Sequence, residues 1–164
     1  MPDATGKRWY LVQCKPRQAS RALEHLERQG YECLLPMHQI ERLHKGQLQQ
    51  LSEPLFPGYL FIHLDKVEDS WLPIRSTRGV NQIVSFGGSP AIVPESVVLA
   101  LRQDISVKPA LVSGDRVFVT AANQLLEAIF LNESGNGRIL LLLNLLQREH
   151  TIEVSLHQVA KVKN

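Results

Sequence analysis

An α+β architecture, with helices laid on a mainly antiparallel sheet, is predicted by three features of the sequence. Strand-like apolar runs and amphipathic stretches follow one another in the order strand, helix, strand, strand, helix, strand, helix. Turn formers punctuate them, notably Gly30, Pro36, Pro57-Gly58 and Gly87-Gly88. Hydrophobic residues make up 44% of the 164 and charged residues 21%, so a core can be buried and wholesale disorder is excluded. With aromatics at 6%, that core must be mainly aliphatic.

Arg8 to Cys14 (Trp-Tyr-Leu-Val at its centre) reads as a buried strand. Lys15-Pro16 is expected to open a helix, since proline is tolerated in a first turn, and Gly30 is a natural stop after Gln29. Tyr31 to Met37 is the next strand, broken by Pro36, which favours an edge. Glu41 to Leu51 is polar and contains Gly46, as a projecting hairpin or loop would. Glu53 to Gly58 is a proline-bounded turn, and Tyr59 to Leu64 a strongly apolar strand. Lys66 to Arg75 suggests a short helix limited by Pro73. Gly79 to Phe86 follows as a strand, and Pro94 to Leu101 as a helix with proline and an acid in its first turn.

Residues 1–103 therefore form one unit, 104–113 (with Lys108-Pro109) a linker, and 114–164 a second unit of marginal size for a single core. Signals in this last unit conflict. Gly114 to Val119 reads as turn and strand, and His150 to Leu156 alternates like a half-buried strand. Between them, Leu125 with Ile129 and Leu126 with Phe130 fall at helical spacing, and Ile139 to Leu146 is mostly leucine, a good helix former. Ser134-Gly135-Asn136-Gly137 could close either a β-hairpin or a helical hairpin. Either the leucines mislead and the unit is a small barrel, or the segment has two packings of similar free energy.

Several function classes are disfavoured. No apolar run approaches the roughly 18 residues that span a bilayer, and the first residues lack the order of a signal peptide. Two cysteines make neither a disulfide scaffold nor a zinc finger, and His25, His38, His44 and His63 lack paired ligand spacing. There is no nucleophile elbow or phosphate loop, and His63-Leu64-Asp65 alone reads as a strand end. The expectation is a cytoplasmic, non-enzymatic monomer without cofactor or metal.

Charge is more informative by placement than by sum. The net charge is +2, but residues 7–30 hold six Lys/Arg against two acids, a local +4 that leaves −2 elsewhere. On an ideal helix with Arg17 at zero, Arg28, Arg21 and His25 fall at about 20°, 40° and 80°, while Ala22, Leu26, Ala19 and Leu23 occupy the opposite side. A basic stripe of this kind suits an anionic partner, nucleic acid above all, against the alternative of a solvated helix face.

Three segments resemble the N-terminal domain of NusG-type transcription elongation factors. They are Trp9-Tyr10-Leu11 before Lys15-Pro16, Glu53-Pro54-Leu55-Phe56-Pro57-Gly58-Tyr59-Leu60-Phe61, and Thr77-Arg78-Gly79-Val80. Residues 21–29, 89–94 and 141–145 are more narrowly similar to the operon-specific branch of that family. The resemblance implies an N-terminal domain that binds the clamp region of bacterial RNA polymerase. It also implies recruitment by the non-template DNA strand of a paused elongation complex. The C-terminal unit would mask the polymerase surface as an α-helical hairpin and refold on release into a small β-barrel able to contact the ribosome through a small-subunit protein.

The same resemblance assigns roles. Lys15, Arg21, His25, Arg28, Gln29, Thr77 and Arg78 correspond to the DNA-contacting face, with Arg17 and Gln18 beside them. Phe56, Pro57, Tyr59 and Phe61 correspond to the polymerase surface; Tyr59 and Phe61 alternate along a strand and so share a face, where core packing is the competing role for Phe61. Glu53 and Arg138 correspond to an ion pair between the two units, backed by Leu125, Ile129, Phe130, Leu141, Leu142 and Leu145. The chain departs from the branch at Ser70-Trp71-Leu72, where a His-Thr-Thr polymerase contact is expected, and lacks the barrel glycines around residues 121–127. Two rival functions are a general elongation factor without DNA selectivity and a free single-strand-binding module.

Overall fold

The computed structural model describes residues 6–65, 69–102, 127–129 and 134–162, with side chains to residue 151. Two apolar strands make its centre. Lys7–Cys14 (β1) and Tyr59–Asp65 (β5) pair antiparallel with Trp9 opposite His63 and Leu11 opposite Phe61. Successive side chains on a strand point to opposite faces, so each strand feeds two cores. Trp9, Leu11 and Phe61 enter one; Tyr10, Val12, Cys14, Leu60, Ile62 and Leu64 enter the other.

Glu32–Leu34 (β2) pairs with the outer edge of β5, Val80–Ile83 (β6) with β1, and Ile92–Val93 (β9) also along β1, all antiparallel. Met37–His44 (β3) and Gln47–Pro54 (β4) form a separate two-stranded ribbon, and Ser85–Phe86 (β7) with Ser89–Pro90 (β8) a smaller one. Lys45 and Gly46 form the two-residue turn of the long ribbon, both with positive φ. The expected hairpin is thus present.

Ala19–Arg28 (α1) covers the second core with Ala19, Ala22 and Leu26, beside Leu72–Arg75 (α2), whose Ile74 is also buried there. Glu95–Arg102 (α3) lies on the first core with Val97, Val98 and Leu101. Gly135–Val162 (α4) joins α3 on that face. Its buried residues Arg138, Leu142, Leu145 and Leu146 recur at helical spacing. The structure therefore sandwiches one sheet between α1 with α2 on one side and α3 with α4 on the other.

Several boundaries differ from expectation. Helix α1 starts at Ala19 rather than Lys15, because Lys15 O accepts from Gln18 N at 3.0 Å and closes a turn in which Arg17 has φ 62°. The strand expected over residues 31–37 splits at Pro36, which ends β2 and leaves Met37 to open β3. Of the expected helix at Lys66 to Arg75, the described part is helical only from Leu72. The strand at Gly79 to Phe86 is interrupted between Ile83 and Ser85.

The alternating stretch from His150 to Leu156 is helical, as part of α4. The Ser134–Gly137 segment opens that helix: Gly137 N donates to Ser134 Oγ at 3.2 Å and Arg138 N to Ser134 O at 3.0 Å. Serine caps a helix in this way. A barrel is not the form seen for 135–162, and residues 127–129 are helical too. The expected linker, Leu125 and Phe130 lie outside the described residues.

Candidate nucleic-acid and docking faces

The basic face is assembled from two chain segments by one glycine. Lys15 N donates to Gly79 O at 2.8 Å, and Gly79, with φ 88°, lies so close to α1 that a Cβ there would stand 2.8 Å from Gln18 O and 3.0 Å from Ala22 N. Only glycine tolerates both the conformation and the approach. The contact sets Thr77-Arg78 against the ends of α1. Gln29 Nε2 donates to Thr77 Oγ1 at 2.8 Å and to His25 O at 3.1 Å, while Thr77 Oγ1 donates to Pro73 O at 2.8 Å.

Lys15, Arg17, Arg21, Arg28, Gln29 and Arg78 are exposed, Gln18 and His25 half-buried, and Thr77 buried. The structure thus brings the nine expected residues together, but Thr77 differs in kind from the rest: its hydroxyl is spent holding Gln29 and the α2 carbonyl. Arg28 pairs with Glu24 one turn away. Lys15, Arg17, Arg21 and Arg78 have no carboxylate at ion-pair distance among the described residues, nor has Arg75, an exposed cation on α2 that the sequence reading passed over. Uncompensated cations along one face create a field for an anionic ligand.

The opposite face of the sheet is covered. Phe56 and Phe61 are fully buried, their rings edge to face at 5.9 Å, in one cluster with Ile129, Leu142, Leu145 and Leu146. Leu141 is half-buried against it, and so is Tyr59, whose hydroxyl accepts from Gln13 Nε2 at 3.5 Å. Pro57 is exposed yet meets the start of α4, where a Cβ on Gly135 would lie 2.7 Å from Pro57 Cγ. His150 of α4 packs beside Phe86 at 5.8 Å.

A buried arginine closes this contact. Arg138 is 1% exposed; its Nε donates to Leu55 O at 2.6 Å and its Nη2 to Glu53 Oε1 at 3.4 Å. Glu53 also meets His38 Nε2 at 3.0 Å through the same oxygen and Arg42 Nη2 at 3.5 Å through the other. Sequence reading named Glu53 and Arg138 but missed His38 and Arg42, although the register implied by a Lys45-Gly46 turn places His38 opposite Glu53. At the far end of the sheet, Arg102 sits over the Trp9 ring at 5.2 Å and reaches Glu32, which also bonds His63. Burial pushes the Glu32 carboxyl up, but the hydrogen bonds from His63 and Arg102 outweigh it and hold it below the ordinary range.

Ser70-Trp71-Leu72 is partly structural: the Trp71 ring meets Tyr10 edge-on at 4.7 Å, while Leu72 is 79% exposed. Among the described residues no three His, Cys, Asp or Glu are grouped to hold a metal, and no helix is long and apolar enough to cross a membrane.

Residues 7–102 match the family model for NusG, described as transcription termination factor nusG. The transcription termination/antitermination protein NusG of Staphylococcus epidermidis is 25% identical over 180 residues, covering 98% of each chain. Its counterpart in Chlamydia pneumoniae is 24% identical over 164 residues, covering 89% of this chain and 90% of its own. A solved structure of Thermotoga maritima NusG, described for its domain interaction, aligns with a TM-score of 0.41 at 24% identity, over 58% of this chain and 55% of its own. The family model spans more than half of the sequence, and by that match the chain belongs to the NusG family of transcription termination factors, a family without enzymatic activity.

Proposed function

We propose that the chain is an operon-specific elongation and antitermination factor of the RfaH-type branch of its family. On this reading residues 1–103 bind the clamp region of bacterial RNA polymerase through Phe56, Pro57, Tyr59 and Phe61. The α1 face, with Thr77-Arg78, engages the exposed non-template strand of a paused elongation complex. Residues 114–164 autoinhibit the factor as an α-helical hairpin, then refold on release into a small barrel that can contact the ribosome. The factor works in the cytoplasm as a monomer.

The observation that carries the proposal is the asymmetry of the two faces. Phe56 and Phe61 are buried in one cluster with Leu142 and Leu145, whereas Lys15, Arg17, Arg21 and Arg78 are exposed on the other side. Each leucine contributes about 1.5–3 kcal/mol when fully buried. A surface ion pair contributes about 0–1 kcal/mol and breaking a buried one costs about 3–5 kcal/mol, whereas inverting a two-state population from 1:99 needs about 5.5 kcal/mol. The apolar contact, not Glu53–Arg138, therefore supplies most of the closure.

A general NusG role is the second reading, favoured by the names of the relatives. Two measurements on the full chain separate them. NMR of the unbound chain is expected to give helical shifts for residues 135–162, and recruitment is expected only at paused complexes whose non-template strand is exposed. Strand shifts there, together with equal recruitment to every complex, would establish the general factor instead.

A further inference from the structure

Pro16 and Arg17 occupy the middle of the turn closed by Lys15 O and Gln18 N. Proline sets φ for the first central position, and the second, with φ 62°, is the place where such a turn takes glycine or asparagine. An L side chain in this left-handed region crowds its own backbone and costs stability. Two non-glycine residues among those described have positive φ, Arg17 and Lys45. Lys45 is accounted for by the two-residue hairpin turn it shares with Gly46.

Arg17 has no such account. Its turn is pinned on both sides: Lys15 N is held by Gly79 O, and Gln18 O accepts from Ala22 N at 2.9 Å with Gly79 pressed against it. The backbone cannot relax without losing the contact that joins Thr77-Arg78 to α1. Nor is there a return among the described residues, for the side chain is exposed and makes no hydrogen bond or ion pair with them. Glycine would satisfy the same turn without strain but carries no charge.

We propose that Arg17 is a nucleic-acid contact retained against the conformational preference of its own turn, placing a guanidinium between Lys15 and Arg21 to grip a phosphate of the bound single strand. The inference rests on the reading of the α1 face as a DNA site and singles out within it the residue where folding and binding want different side chains. Guanidinium is suited to this because its fork of donors engages phosphate oxygens in pairs.

The test uses the full chain and a short fluorescent single-stranded DNA, with affinity followed across salt concentration and melting temperature measured in parallel. Arg17→Gly is expected to melt at or above the parent. It should bind about tenfold more weakly, as befits one good arginine contact, with a salt slope shallower by about 0.7. Arg17→Lys keeps charge and strain but loses the fork, and is expected to keep the parental melting temperature and salt slope while binding between the parent and Arg17→Gly. A glycine variant that binds with parental affinity and slope, or that melts below the parent, overturns the proposal. If the parent itself fails to bind the strand, the reading of the face falls and takes the proposal with it; parental binding with an indifferent glycine variant defeats the role of Arg17 alone.

Discussion

Arg138 of α4 and Glu53 of β4 meet at 3.4 Å through Nη2 and Oε1, and that same carboxylate oxygen faces His38 Nε2 at 3.0 Å. The C-terminal helix is thereby tied to the base of the β3–β4 ribbon through one shared acceptor. Arg138 has a second bond, to Leu55 O, so the helix does not depend on Glu53 alone.

Glu53→Ser should partly open the contact between α4 and the sheet. Breaking a buried pair costs about 3–5 kcal/mol, but Glu53 is 29% exposed and Arg138 keeps its carbonyl partner, which places the effect below that range. NMR of the full chain is expected to show a second set of α4 signals. A single, unshifted set would remove the pair from any role in closure.

Leu145→Ala is expected to loosen the interface more than Glu53→Ser. Leu145 is 1% exposed within the cluster that holds Phe56 and Phe61, and deleting such a side chain costs about 2–5 kcal/mol. Protease accessibility of α4 and dye binding to the uncovered aromatics measure it. Equal loosening by the two variants would mean that the ion pair carries more of the closure than burial does.

Gly79→Ala should damage both stability and the basic face. The new methyl would meet backbone atoms of Gln18 and Ala22 at 2.8 and 3.0 Å, in a conformation alanine avoids. Unfolding is expected to move to lower denaturant by more than the roughly 1 kcal/mol typical of a single substitution, with DNA binding weakened alongside. Unchanged binding in the folded variant would separate Thr77-Arg78 from the site.

Alkaline pH should destabilise the domain through its cysteines. Burial pushes both Cys14 and Cys33 up to about 12, with the Glu27 charge adding at Cys33. The folded state holds these protons more tightly than the unfolded chain, whose thiols titrate near 9.0. The stabilisation is therefore complete below pH 9 and is lost as pH rises toward 12. One unit above the unfolded value, Cys14 accounts for about 1 kcal/mol. Urea unfolding near neutrality and above pH ~10, compared with Cys14→Ala, tests this; identical alkaline losses in both proteins would exonerate the thiol.

What could be read from the sequence followed from local pattern. The near-continuous apolar runs of Trp9 to Cys14 and Tyr59 to Leu64 foretold two buried strands, and Gly46 in a polar stretch foretold a hairpin or loop where the ribbon lies. What could not be read depends on contacts between distant segments. Pro16 is as compatible with a turn as with a helix start, and Gly79 decides between them from 63 residues further along the chain. His150 to Leu156 alternates well enough for a strand, but the leucines before it bury themselves at helical spacing, and that packing carries the helix onward. His38 and Arg42 escaped notice as partners of Glu53 because the ribbon was expected without a register.

Since β1 and β5 send alternate side chains to opposite sides of the sheet, the two proposed inputs are insulated from each other. If the proposal holds, a nucleic-acid strand reaching the exposed α1 side would find it open, whereas a protein seeking the aromatic side would have to wait for a helix of 28 residues to depart. On the proposed reading such a molecule would handle its signals in a fixed order: the address is checked first, and only then is the engine engaged.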